Sequence, residues 1–177
     1  MTDAALKRVD TRPLDFDAVY RECFPSICKS LLRLGVPSAQ LDDVSQEVFL
    51  SIHRKLGELR DPNCLKAWTT AFAIRAASDV RRHLRRRGET EEVPESMAAP
   101  TRTDAGTEQR QGLELLQAVL AKLPDDFREV FVLVELEEMS GPEVAEALGL
   151  NLNTVYSRLR LARASFNTLI AQLQESP

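Results

Sequence analysis

Glycine, cysteine and histidine are scarce in this chain, long apolar runs are missing, and one stretch near its end holds no acidic residue at all. Each absence narrows what the protein can be. With 7 glycines against 44% apolar and 28% charged residues, the composition is that of a globular, helix-rich chain rather than a disordered one. Neither a phosphate-binding P-loop nor a dinucleotide fingerprint occurs. The 3 cysteines, Cys23, Cys28 and Cys64, form no paired framework. Together with His53 and His83 they show no zinc-ligand spacing, and buried cysteines behave as small apolar residues. Asp42, Asp43 and Glu47 come nearest to an acidic cluster, yet nothing beside them completes a metal or acid/base site. No catalytic residue, metal or cofactor is therefore expected, and the chemistry points to binding. No apolar run approaches the roughly 20 residues needed to cross a bilayer. The opening MTDAALKRVDTRP also lacks the apolar core of a signal peptide. A cytoplasmic protein without membrane insertion is the expectation.

What is present is a division of charge. Residues 1–87 carry a net +5, residues 88–112 a net −4 and residues 113–177 a net −5. The overall −4 would argue against nucleic acid, whereas the local distribution argues for it. Hydrophobic periodicity predicts three helices in the basic part, spanning 14–87. The first, Leu14 to Leu34, is capped by Asp15 and turns Phe16, Val19, Tyr20, Cys23, Ile27, Leu31 and Leu32 inward, with Pro25 bending or splitting it. The second starts at Ser38 or Asp42. It buries Leu41, Val44, Val48, Phe49, Ile52 and Leu56 and shows Asp43, Gln46, Glu47, Leu50 and Arg54 on its other side. After the turn-forming GELRDPN, the third runs from about Cys64 to Arg87 over a stripe of Leu65, Trp68, Phe72, Ala76 and Val80. Arg75, Arg81, Arg82, Arg85, Arg86 and Arg87 on that helix are opposed only by Asp79. One or two cations would suit a helix C-terminus; so many are better matched to a phosphate backbone.

Residues 88–112, GETEEVPESMAAPTRTDAGTEQRQG, break the pattern and read as an acidic linker. The second domain, 113–174, opens with Leu113, Leu116, Val119, Leu120 and Leu123. A helix after Pro124 follows, carrying Phe127, Val130, Phe131, Val134 and Leu136. Ser140 and Glu143 then have capping-box spacing, Pro142 lies in a first turn, Gly149 supplies a turn and Asn151 caps a last helix. There Val155, Leu159, Ala162, Phe166, Leu169 and Leu173 share one face. Asn153, Thr154, Tyr156, Ser157, Arg160 and Leu161 point away from it, and Arg158 and Arg163 flank them. No acidic residue interrupts Asn151 to Ala171. Polar side chains outward with arginines beside them suit a major groove, so this is a candidate helix-turn-helix. The plainer alternative is an antiparallel helix pair whose outer face is solvated. The fold class is all-α, two small helical domains joined by the acidic linker.

This order resembles the extracytoplasmic-function (ECF) class of bacterial RNA polymerase sigma factors in the sigma-70 family, which keep only regions 2 and 4. The resemblance rests on DDVSQEVFLSIHRKL and on LPDDFREVFVLVELEEMSGPEVAEALGLNLNTVYSRLRLAR. It implies a three-helix region 2 domain and a four-helix region 4 domain, with core RNA polymerase and promoter DNA as partners. By resemblance, Asp43, Gln46, Glu47 and Leu50 would dock on the β′ clamp helices. Arg60, Asp61 and Asn63 would capture a flipped base of the −10 element. Arg75, Arg81, Arg82 and Arg85 would hold phosphates as the strands part. Asn153, Thr154, Tyr156, Ser157, Arg160 and Leu161 would read the −35 element, with Arg158 and Arg163 on its phosphates. The apolar helices of region 4 would grip the β flap, the linker would enter the RNA exit path, and an anti-sigma factor would hold the protein inactive. Trp68 would be core rather than a stacking platform. Ala71, Ile74 and Arg75 depart from the family pattern, as do Tyr156 and Leu161, which implies a changed promoter preference. A stand-alone helix-turn-helix regulator is the competing reading.

Overall fold

The computed structural model describes residues 15–88 and 107–175 of the chain, with side chains described for 15–88 and 111–173. Leu14 and linker positions 89–106 lie outside them. Among the described residues, seven α-helices form two groups. Helices α1 (Phe16–Arg33), α2 (Leu41–Lys55) and α3 (Leu65–Arg87) pack on one another in the first. The second holds α4 (Thr107–Lys122), α5 (Asp125–Phe131), α6 (Gly141–Leu148) and α7 (Leu152–Glu175), gathered around α7.

Helix α1 starts where Asp15 accepts a hydrogen bond from the Asp17 amide at 3.3 Å, and it runs unbroken through Pro25. Proline removes one amide donor, but Pro25 is exposed, so water reaches the carbonyl left over and the helix does not split. Val19, Cys23, Ile27 and Leu31 fill the core as their spacing predicts. Tyr20, expected inward, is 39% exposed. Helix α2 buries Val44, Val48, Phe49 and Ile52 with the predicted register.

The buried stripe of α3 differs from expectation. Thr69, Thr70, Ala73, Ile74, Ala77, Arg81 and Leu84 are buried, whereas Leu65, Trp68, Phe72, Ala76 and Val80 lie at the margin. Helix α3 touches α1, α2 and α6, so small residues are favoured where helices approach most closely. The large rings sit at the edge, Trp68 meeting Phe72 edge-on at 4.7 Å. Gly88, in the left-handed region at φ 69°, ends the helix.

In the second group α4 begins at Thr107, ahead of the expected Leu113, so it absorbs the end of the stretch read as linker. Arg128 is 2% exposed. Its Nε donates to the Leu120 carbonyl at 2.6 Å, and one Nη donates to Ala121 and Leu123 at 2.7 and 3.2 Å. It thereby satisfies carbonyls that the end of α4 leaves without helical partners. Helix α5 widens into a π-helical turn over Val132–Leu136. The extra residue per turn brings Val132 and Leu133 into the core beside Val130 and Phe131, which a regular helical pattern would not.

Candidate nucleic-acid interface

The helix-turn-helix forms as its capping residues dictate. The Ser140 amide and hydroxyl both donate to the Glu143 carboxylate, at 2.8 and 2.6 Å, and these bonds hold that carboxyl below the usual glutamate range. Gly149 ends α6 in the left-handed region at φ 65°. Asn151 accepts from the Thr154 amide at 2.8 Å and from its hydroxyl at 2.9 Å. Val155, Leu159 and Ala162 are buried, so the predicted register of α7 holds.

On the outer face the residues divide into two sets. Asn153, Tyr156, Arg160 and Leu161 are exposed. Thr154 is occupied by its cap, and the Ser157 hydroxyl donates to the Asn153 carbonyl. Arg158 pairs with Asp126 at 2.6 Å, and Arg163 pairs with Glu135 at 2.6 Å. Both flanking arginines are thus oriented by acids of their own domain. A side chain added at Gly141 would meet the Tyr156 hydroxyl at 2.7 Å, so the tyrosine ring lies across the start of α6. The absence of a side chain at Gly141 leaves room for the Tyr156 hydroxyl there.

On α2, Asp43, Gln46, Glu47 and Leu50 share an exposed face, with Leu50 50% exposed. Beside it Phe16, Tyr20 and Phe24 of α1 line a groove of about 430 Å³, and Tyr20 packs edge-on against Phe49 with ring centres 4.7 Å apart. Sequence reasoning placed Phe16 and Tyr20 in the core and did not single out Phe24. Their near-regular four-residue spacing on one edge of α1 was the available signal.

The residues assigned to single-stranded DNA separate more sharply. Arg60, Asp61 and Asn63 are exposed together before α3, and Asp61 accepts from both the amide and the side chain of Asn63, at 2.9 and 2.8 Å. Arg75 is exposed, its guanidinium 5.9 Å from the Phe72 ring centre. Arg82 is exposed and lies 3.5 Å from Asp79. Arg81 is different: it is 1% exposed and faces the second group of helices. One Nη donates to the Leu34 carbonyl, the other pairs with Glu129, and Nε lies 3.3 Å from Asp125. In this arrangement Arg81 is not available to a phosphate, because its place on the helix is between Ala77 and Leu84 on the buried stripe. Arg85 is exposed but bound to Asp125. Burial alone would raise the Asp125 carboxyl; the hydrogen bond from Arg85 and the charges of Arg81, Arg128 and Arg85 outweigh it and hold the group low. Burial pushes Glu129 up, and Arg81 offsets this only in part.

The comparisons agree with this geometry. The model for Sigma-70 region 2 matches residues 19–89, and that for Sigma-70, region 4 matches residues 113–166. The chain is 30% identical over 151 residues to the RNA polymerase sigma-E factor of Streptomyces coelicolor, across 85% of this chain and 83% of that one. It belongs to the sigma-70 family of RNA polymerase sigma factors.

Within that family it is of the ECF class, whose members direct RNA polymerase in transcription initiation and are not catalysts themselves. It is 28% identical to the ECF RNA polymerase sigma factor SigE of Mycolicibacterium smegmatis over 89% of its own length. It spans 62% of that longer relative. Among solved structures, CnrH in complex with the cytosolic domain of CnrY superposes with a TM-score of 0.66 at 25% identity, covering 89% of this chain and 88% of that one. No described helix is long and apolar enough to cross a membrane.

Proposed function

We propose that this sigma factor docks on core RNA polymerase through α2, reads a −35 element with α7 and captures the −10 element with α3 and the loop before it. The observation that carries the reading is the exposed face of α2. An exposed leucine flanked by Asp43, Gln46 and Glu47, next to an aromatic groove, suits a basic helical partner with an apolar seam. By family resemblance that partner is the pair of clamp helices of β′, while the apolar helices of region 4 grip the β flap and the linker enters the RNA exit path. Asn153, Tyr156, Arg160 and Leu161 supply base contacts, with Thr154 and Ser157 at their edge and Arg158 and Arg163 already aimed by Asp126 and Glu135 toward the flanks. Arg60, Asp61, Asn63, Arg75 and Arg82 form the accessible −10 set, which Arg81 and Arg85 join only when their acidic partners withdraw. The protein acts in the cytoplasm, where polymerase is, and an anti-sigma factor covering its polymerase-binding faces regulates it; the similar CnrH is itself found in complex with the cytosolic domain of CnrY.

Glu47→Lys reverses a charge in the middle of the docking face without touching the core. Association with core polymerase, followed by native gel or fluorescence, should fall at least about a hundredfold, the scale of a desolvated charge clash at an interface. Undiminished association would remove α2 from the polymerase interface.

A further inference from the structure

Of the six large hydrophobic residues exposed among the described ones, three stand on α7: Leu152 at 39%, Tyr156 at 52% and Leu161 at 41%. Two of the others, Tyr20 and Leu50, border the groove between α1 and α2. The three on α7 lie on a stretch with no acidic residue from Asn151 to Ala171, flanked by the paired Arg158 and Arg163, so a polyanion approaching them meets no repulsion. At about 100° per residue, Tyr156 and Leu161 fall roughly 140° apart, at opposite edges of the outer face, with Asn153, Ser157 and Arg160 between them. Along the axis they are about 7.5 Å apart at roughly 1.5 Å per residue, close to two of the ~3.4 Å steps of a duplex strand. A side-chain carbon added at Gly141 would meet Oη and Cζ of Tyr156 at 2.7 and 2.9 Å and Cδ1 of Leu152 at 3.1 Å. Ring and leucine therefore both lie beside the start of α6, which limits where the ring can go.

We propose that Tyr156 and Leu161 make α7 selective for thymine, through the C5-methyl group that thymine alone places in the major groove. The inference rests on the assignment of α7 to the −35 element and adds which base its apolar residues take. A leucine side chain has neither donor nor acceptor. Opposite Leu161, guanine, adenine or cytosine would lose water from a polar edge and gain no partner, whereas the thymine methyl is apolar and fills the contact. The ring of Tyr156 offers an apolar edge of the same kind. Arg160, exposed between them, has the donors that suit guanine O6 and N7. The outer face thus runs apolar, basic, apolar. It specifies a mixed element with two thymines within about three base-pair steps of each other, on either strand, rather than a run of G·C pairs. Each methyl contact should be worth about fourfold in affinity, the weight of one methyl group taken out of water.

The test uses holoenzyme assembled from bacterial core polymerase and the full chain, on a promoter duplex that it selects from fragmented genomic DNA. Each thymine of the upstream motif, on either strand, is replaced singly by uracil, which keeps the base pairing and deletes only the methyl. Competition against the parent duplex should show a loss of about fourfold at two positions and none at the rest. Leu161→Ala should abolish the uracil penalty at one of the two and Tyr156→Ala at the other, while Tyr156→Phe keeps it. Both residues are exposed, so these changes leave the core intact; should a variant fail to fold by circular dichroism, the uracil series on the unaltered chain decides. Uracil tolerated at every position, or an upstream motif of G·C pairs alone, would overturn the inference. A penalty that survives both alanine changes would assign the methyl effect to duplex shape and overturn the role of the two side chains. The reading beneath is tested separately by Arg160→Ala. If that change and both alanine variants leave the preference among upstream sequences unaltered, or if no duplex is selected at all, α7 is not the reader and the inference falls with it.

Discussion

The arginines of α7 and those of α3 both meet carboxylates of their own chain, but the partners stand in different places. Arg158 and Arg163 pair with Asp126 and Glu135, all within one helical group, so the pairs aim the cations and go wherever that group goes. Arg81 and Arg85 pair with Glu129 and Asp125 across the boundary between the two groups, so those contacts last only while the groups stay together. A cation tied within its own domain keeps its direction whatever the other domain does, whereas one tied to the neighbouring domain keeps its partner only in this arrangement. Arg128, which is buried and spent on three carbonyls, is a third kind, structural throughout.

Four changes sharpen or break that comparison, in descending order of effect. Arg128→Met should cost about 3 kcal/mol of stability, because the carbonyls at the end of α4 lose charge-assisted hydrogen bonds in a buried place. Urea denaturation measures it, and a loss below about 1 kcal/mol would contradict the structural role. Arg160, exposed on the outer face of α7, should on change to alanine lose about 1–3 kcal/mol of discrimination at particular −35 bases if the proposed contact is bidentate. Competition between promoter variants separates that outcome from a uniform loss, which would make Arg160 a phosphate contact. Arg158→Ala, removing a partly exposed pair inside one domain, should change stability by about 0.2–1 kcal/mol and leave the scattering radius unaltered. An expanded chain would erase the distinction between the two kinds of arginine. The smallest effect concerns acid. The Glu143 carboxyl is held below its ordinary value of 4.5, so its contribution to the start of α6 is present above that pH and is lost as pH falls through the lower folded value. Protection of the α6 amides, taken relative to their intrinsic exchange at each pH, should fall over that range, and Glu143→Gln should flatten the fall.

How much of this was legible in the sequence follows from how local each feature is. The capping of α6 by Ser140 and Glu143, the turn at Gly149, the cap at Asn151 and the buried face of α7 depend on residues a few positions apart, and all stand as expected. The exposed set on α2 was readable for the same reason. Arg81 was not. Its helical position is a core position, but its residue type speaks for the surface, and the acids that decide the matter lie 48 and 44 residues further along the chain, at Glu129 and Asp125. The stripe of α3 shifted because a helix with neighbours on several sides is buried over a wider arc than one face. Tyr20 was misplaced because aromatic residues at helical spacing suit either a core or the wall of a groove. The π-helical turn left no composition signal, since both registers place apolar residues inward.

The most direct test of the account is transcription of fragmented genomic DNA by bacterial core polymerase, with and without this protein, mapping the 5′ ends of the transcripts. The account predicts new start sites that share two upstream motifs at a fixed separation, one read by α7 and one by α3. No new starts, with the protein folded but unbound to core, would contradict it.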